Sequence, residues 1–123
     1  MLLNDFFTIT ELNADAETLT AKIALNVKHR IYDGHFPDNP VTPGVVQMQI
    51  VKEILETHFK KPLQLKTMSK CKFLQILNPE TTPAISIIID FIVDDYAIKI
   101  NATGLFEEVS YFNTPSITRF KVF

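Results

Sequence analysis

The sequence predicts an α+β domain in which one long helix packs on a single antiparallel sheet. Three observations predict it. The apolar pattern runs as two strand candidates, one helical stretch, then about four further strand candidates. Ten phenylalanines stand among many Ile, Val and Thr residues, types that favour strands. Hydrophobic residues make up 46% and charged residues 21% of the 123, enough for a core and too apolar for a disordered chain. That length fits one domain spanning residues 1–123.

The elements follow in order. "DFFTITEL" and "TLTAKIALNV" are strand candidates joined by the polar, turn-like "NADAE", so a hairpin is expected. A loop runs from about Lys28 to Thr42. A helix fits Pro43 to Phe59, with Thr42 as N-cap, Pro43 at the first helical position and "KKP" ending it. "LQLKTMSKCKFLQIL" reads as strand again and reaches the turn "NPETTP". "AISIIIDFIV" follows, then "DD" as a turn and "YAIKINATGLF". There Ile98, Ile100 and Ala102 alternate with Lys99 and Asn101. "VSYFNTPSITRFKVF" is a strand interrupted at "NTP".

Composition removes several function classes. The formal net charge is -2 and there is no Lys/Arg block, so neither nucleic acid nor an anionic membrane surface is an expected partner. "MLLNDFFTIT" has no basic region ahead of an apolar stretch and does not read as a signal peptide. The longest apolar run is interrupted by Asp90 and too short to cross a bilayer. Cys71 is the single cysteine, and no metal-binding Cys/His spacing is present. No metal or cofactor is expected, and the plain reading of location is cytoplasmic.

"GHFPDNPVTPGVVQ" concentrates a histidine, three prolines and two glycines ahead of the helix. Prolines restrict the loop and hold His35 in one orientation. The helix start near Pro43 offers unpaired N–H groups and a favourable dipole, and Gly44 admits close approach to that backbone. This stretch resembles the signature H-F-P-x-x-P-V-x-P-G-V of the β-hydroxyacyl-acyl-carrier-protein dehydratases (FabA/FabZ-like). His35, Phe36, Pro37, Pro40, Val41, Pro43, Gly44 and Val45 match in register. The resemblance implies the hot-dog fold, an antiparallel sheet wrapped around a central helix, and pairing into a homodimer or larger assembly. It implies a β-hydroxyacyl thioester substrate carried on acyl carrier protein or coenzyme A. His35 would then be the base that takes the α-proton, and the Gly44 N–H would hold charge on the thioester carbonyl. Phe36, Pro43, Val45, Val46 and Met48 are candidates to line an acyl pocket, although apolar residues at such spacings also build cores.

The pattern breaks at the acid. The family carries Glu or Asp fourteen positions after the histidine, where this chain has Gln49. An amide cannot act as a general acid. Many members carry Gln four residues later, where this chain has Glu53, so the two residues look exchanged. Positions i and i+4 share a helix face, about 6 Å apart at Cβ, so Glu53 is a candidate replacement acid. The competing reading places Gln49, Lys52, Glu53 and Glu56 on a solvated face, with Lys52 and Glu56 as a surface pair. Lys28, Arg30, Lys70 and Lys72 are candidates to meet an acidic carrier protein. His29 and His58 read as surface residues, Cys71 as a small buried one, and Tyr32 as a hydrogen-bond donor near the motif. Three functions are compatible: a working dehydratase, a relative that retained the pocket and lost the acid (or serves as a heterodimer partner), and a thioesterase on the same fold.

Overall fold

Asp15 closes the first hairpin: its Oδ1 accepts the N–H groups of Glu17 and Thr18, each at 2.8 Å. These bonds hold the Asp15 carboxyl below its usual range. The turn joins β1 (Phe7–Ala14) to β2 (Thr18–Leu25). The structure, a computed structural model, describes residues 2–34, 41–68, 71–94, 97–114 and 118–122. β1 starts and ends two residues later than expected, because Asn13 and Ala14 continue the ladder opposite Thr20 and Leu19.

The remaining strands are β3 (Leu63–Met68), β4 (Lys72–Phe73), β5 (Ala84–Val93), β6 (Ala97–Phe106), β7 (Val109–Asn113) and β8 (Thr118–Val122). All eight lie in one antiparallel sheet. β2 pairs β5 and β5 pairs β6. The far edge of β6 is shared: β8 takes Ala97–Ile100 and β7 takes Thr103–Phe106. β3 then lies on β8, and β4 on β7. Glu107 and Glu108 both have positive φ, 49° and 67°, as a two-residue turn between twisted strands requires. In β2, β5 and β6 every second residue is buried, so Leu19, Ile23, Ile87, Ile89, Ile98 and Ile100 share one face. Gly104 continues it, because a Cβ there would lie 2.3 Å from the buried Phe112 ring.

Helix α1 (Gly44–Phe59) supplies the other half of the core. Val46, Gln47, Ile50, Val51, Glu53, Ile54 and Leu55 are buried, more than one stripe of its surface, as suits a central helix. This is the hot-dog architecture implied by the motif. The helix starts one residue later than expected, with Pro43 as N-cap and no side-chain cap. Thr42 is committed elsewhere: its hydroxyl meets Tyr32 Oη at 2.8 Å and its N–H donates to Leu77 O at 2.8 Å. Lys60 ends the helix in the left-handed conformation, φ 57°.

His29 is buried, against expectation. Its Nδ1 accepts the Ile31 N–H at 3.1 Å and its Nε2 lies 3.0 Å from Asp5 Oδ2, which places the ring proton on Nε2. The two bonds anchor the 3-10 turn Arg30–Gly34 that leads into the motif. His58 is half-buried against Phe59 and Phe91.

Burial pushes the Tyr32 phenol above 10.0, partly offset by the Thr42 bond. The folded state therefore favours the neutral phenol; this stability is complete below the unfolded pKa and is lost as pH rises through the folded one. Tyr32→Phe is expected to cost ~1 kcal/mol at neutral pH through the lost hydrogen bond. It should also reduce the fall in stability above pH ~10, as read by urea melts of both proteins across that range.

Candidate functional site

A cavity of about 580 Å³ opens between the first half of α1 and the β3–β4 edge of the sheet. Gly44, Val45, Met48, Gln49 and Lys52 present one helix face to it, as their spacing dictates. Val51 completes the helical side. Leu63, Gln64 and Leu65 of β3, Phe73 of β4, Ile100 of β6, Phe120 of β8 and Thr114 form the opposite wall. The lining is mainly apolar, with Gln49, Lys52, Gln64 and Thr114 as its polar side chains.

The helix start supplies donors. Val46 and Gln47 both give their N–H to Pro43 O at 3.1 Å. The N–H groups of Gly44 and Val45 meet no acceptor among the described residues. A Cβ on Gly44 would lie 2.7 Å from Phe73 Cζ, so the missing side chain makes room first for that ring.

One turn further along α1, Gln49 Nε2 donates to Glu53 Oε2 at 2.9 Å. Glu53 has no exposed surface. Its Oε1 accepts the N–H groups of Leu2 and Leu3, both at 2.8 Å, and Oε2 also lies 3.1 Å from Leu2 N. This carboxylate fastens the start of the chain to the central helix and is not part of the cavity wall. The solvated-face reading of Glu53 is thereby corrected: backbone donors fifty residues away claim the buried carboxylate, and Glu53 is not among the residues that line this cavity. The surface pair is also absent: Glu56 Oε2 accepts the Leu63 N–H at 2.9 Å, and the ion pairs among the described residues are Lys22–Glu11 and His29–Asp5.

The other candidates divide cleanly. Gly44, Val45, Met48 and Gln49 border the cavity. Val46 turns into the core instead, and Pro43 caps the helix without joining the wall. His35, Phe36 and Lys70 lie outside the described residues. Cys71 is half-buried, its Sγ 3.6 Å from Met48 Sδ, and burial raises its thiol pKa. Lys52 was read from sequence only as a surface residue, and Val51 and the strand residues of the wall were not singled out. Their contribution depends on β3–β8 and β6–β8 pairing, which no local pattern reveals.

Comparison with known proteins agrees with this fold. The sequence profile of the ApeI-like family, described as ApeI dehydratase, matches residues 11–104. The 3-hydroxyacyl-acyl-carrier-protein dehydratases FabZ of Thermoanaerobacter sp. and Thermoanaerobacter pseudethanolicus are each 32% identical over 68 residues, 50% of this chain and 48% of the relative. The chain thus spans about half the length of the curated relatives it matches. The fold matches a chain of the dehydratase heterocomplex ApeI:P from Xenorhabdus doucetiae, with TM-score 0.67 and 16% identity over 93% of this chain and 95% of that one. An uncharacterized protein from Erwinia carotovora subsp. atroseptica matches with TM-score 0.59 and 16% identity over 92% and 90%.

Replacing Glu53 by Leu would strand the Leu2 and Leu3 N–H groups and the Gln49 amide. At ~1 kcal/mol for each hydrogen bond lost, the expected loss is ~3 kcal/mol, read as a lower denaturation midpoint. Glu53→Gln retains one acceptor oxygen and should cost less.

Proposed function

This chain belongs to the ApeI-like dehydratase family, and on that footing we propose that it binds β-hydroxyacyl thioesters in the cavity but lacks the acid to dehydrate them unaided. The observation that carries this reading is the division of labour on α1. Gln49 borders the cavity, while the carboxylate bonded to it, Glu53, is held by Leu2 and Leu3 outside the lining.

Dehydration breaks the Cα–H bond and the Cβ–O bond and forms the Cα=Cβ double bond. His35 takes the α-proton in this scheme, as the motif implies. The Gly44 N–H stabilises the negative charge that grows on the thioester carbonyl. The β-oxygen then needs a proton to leave as water, and Gln49 has none to give. A missing general acid costs ~10²–10⁴-fold in rate. The FabZ relatives are named for acyl-carrier-protein thioesters, and a carrier-protein thioester is the form of substrate proposed here.

A second chain completes this reading. Val45, Leu65, Phe73, Leu74 and Ile76 are 79%, 42%, 48%, 46% and 67% exposed, at the helix start, on β3 and β4, or in the segment just after β4. Apolar side chains beside an open strand edge suit a partner subunit. A homodimer remains the form proposed from the motif. The structural neighbour from Xenorhabdus doucetiae is a heterocomplex, which makes an unlike partner the alternative. Light scattering at micromolar concentration should give a dimer; a stable monomer would count against this arrangement.

The purified chain, given β-hydroxyacyl thioesters and followed for enoyl product and free thiol, is expected to bind and turn over little. Gln49→Glu should raise enoyl formation by ~10²-fold, because a carboxyl beside the Glu53 carboxylate retains its proton and becomes an acid. Adding His35→Ala to that variant should remove the gain. Rapid dehydration by the unmodified chain would overturn the reading.

A further inference from the structure

Lys52 is the one charged residue among those that line the cavity. The acids beside it on α1 are committed elsewhere. Glu53 takes the Leu2 and Leu3 N–H groups and the Gln49 amide, and Glu56 takes the Leu63 N–H. The ion pairs among the described residues are Lys22–Glu11 and His29–Asp5, so Lys52 has no counter-ion there. It is half-buried in a mainly apolar wall, where a charge is less screened than in open water. Attraction between whole charges needs no particular hydrogen-bond angle. The flexible four-carbon lysine stem lets the ammonium follow an anion along the wall.

The cavity also has a direction. At the helix start Val45 and Phe73 are exposed, and Phe73 packs against Gly44. At the Lys52 end Val51 and Leu63 are buried, and Leu63 is bonded to Glu56, one turn beyond Lys52. Gly44 and Lys52 stand eight residues apart, about 12 Å along the helix axis. A thioester held at the helix start keeps its carrier arm at the open end and sends its acyl chain towards Lys52.

Resting on the binding reading above, we infer that Lys52 is a specificity-determining residue and that the cavity takes thioesters whose acyl chain ends in a carboxylate. The thioester carbonyl meets the N–H groups of the helix start, the methylenes lie along Leu65, Ile100 and Phe120, and the terminal carboxylate pairs with the Lys52 ammonium. An acyl chain that ends in a methyl group sets apolar carbon beside a cation with no partner, which costs affinity. The ligand class is thus a dicarboxylic acid bound to its carrier through one of its two carboxyl groups.

The test compares Kd values on the full chain by calorimetry at neutral pH for three thioesters. These are β-hydroxydecanoyl pantetheine, the same compound with a carboxylate in place of the terminal methyl, and β-hydroxydecanoyl 4′-phosphopantetheine, which carries its anion on the other arm. The carboxylate compound should bind at least ~10-fold more tightly than the methyl compound, the scale of one charge-assisted hydrogen bond. The net charge of -2 offers no general attraction that would mimic this gain. Lys52→Met should bring the ratio to ~1 or below by weakening the carboxylate compound alone, whereas Lys52→Arg should retain it. Lys52→Gln decides in its place should Lys52→Met not fold. A ratio near one in the unmodified chain, a preference that survives loss of the cation, or a Lys52-dependent gain confined to the phosphate compound overturns the inference and leaves the binding reading standing. Failure of all three compounds to bind overturns both.

Discussion

A helix enclosed by a curved sheet needs protein partners for the polar groups it carries inward, and much of this molecule follows from how α1 meets that need. Glu53 takes the Leu2 and Leu3 N–H groups, Glu56 takes the Leu63 N–H, and Gln47 Nε2 donates to Thr42 O at 3.0 Å. These bonds fix the helix to the start of the chain, to β3 and to the loop before it. Each is worth only ~1–3 kcal/mol, but leaving any of the groups unpaired in the interior would cost a comparable amount. The arrangement is therefore more specific than it is strong. Gln47 Oε1 has no partner and is one of two buried side-chain polar atoms in that condition among the described residues.

The cavity arises where the sheet divides. β6 gives one half of its outer edge to β8 and the other half to β7, with Thr114 N donating to Ala102 O at 3.0 Å near the junction. Splitting the edge separates β3 from β4 and exposes the helix start between them. Ile100, Phe120, Phe73 and Leu65 then face Gly44, Met48 and Gln49 across a mainly apolar space. The wall therefore owes its shape to pairing between distant segments, while its polar groups come chiefly from consecutive turns of one helix.

That contrast explains what was legible in the sequence. The helix was read to within one residue because Pro43 and the Lys60–Pro62 stretch mark its ends locally. β5 was read from its apolar run, and β6 from the alternation of Ile98, Ile100 and Ala102 with Lys99 and Asn101. Gly44, Met48 and Gln49 were placed on the first turns of the helix by their position behind the motif, and that is where the cavity opens. The fate of Glu53 was not legible, because its partners are backbone N–H groups with no residue signature. Nor was the burial of His29, which depends on Asp5 twenty-four residues earlier. Val46 and Val45 are adjacent and equally apolar, and only the rotation of the helix within the sheet sends one to the core and the other to the surface.

The bond from Glu53 to Leu2 joins residues 51 apart in the chain. During synthesis the first residues have no acceptor until the helix has emerged, and β2 waits longer still for β5. Native pairing at such separations is a late and slow event, since the entropy of closing the loop is lost before any contact compensates. The side-chain geometry that orients Gln49 is thus completed only by a contact 51 residues away, and not within the helix that carries it.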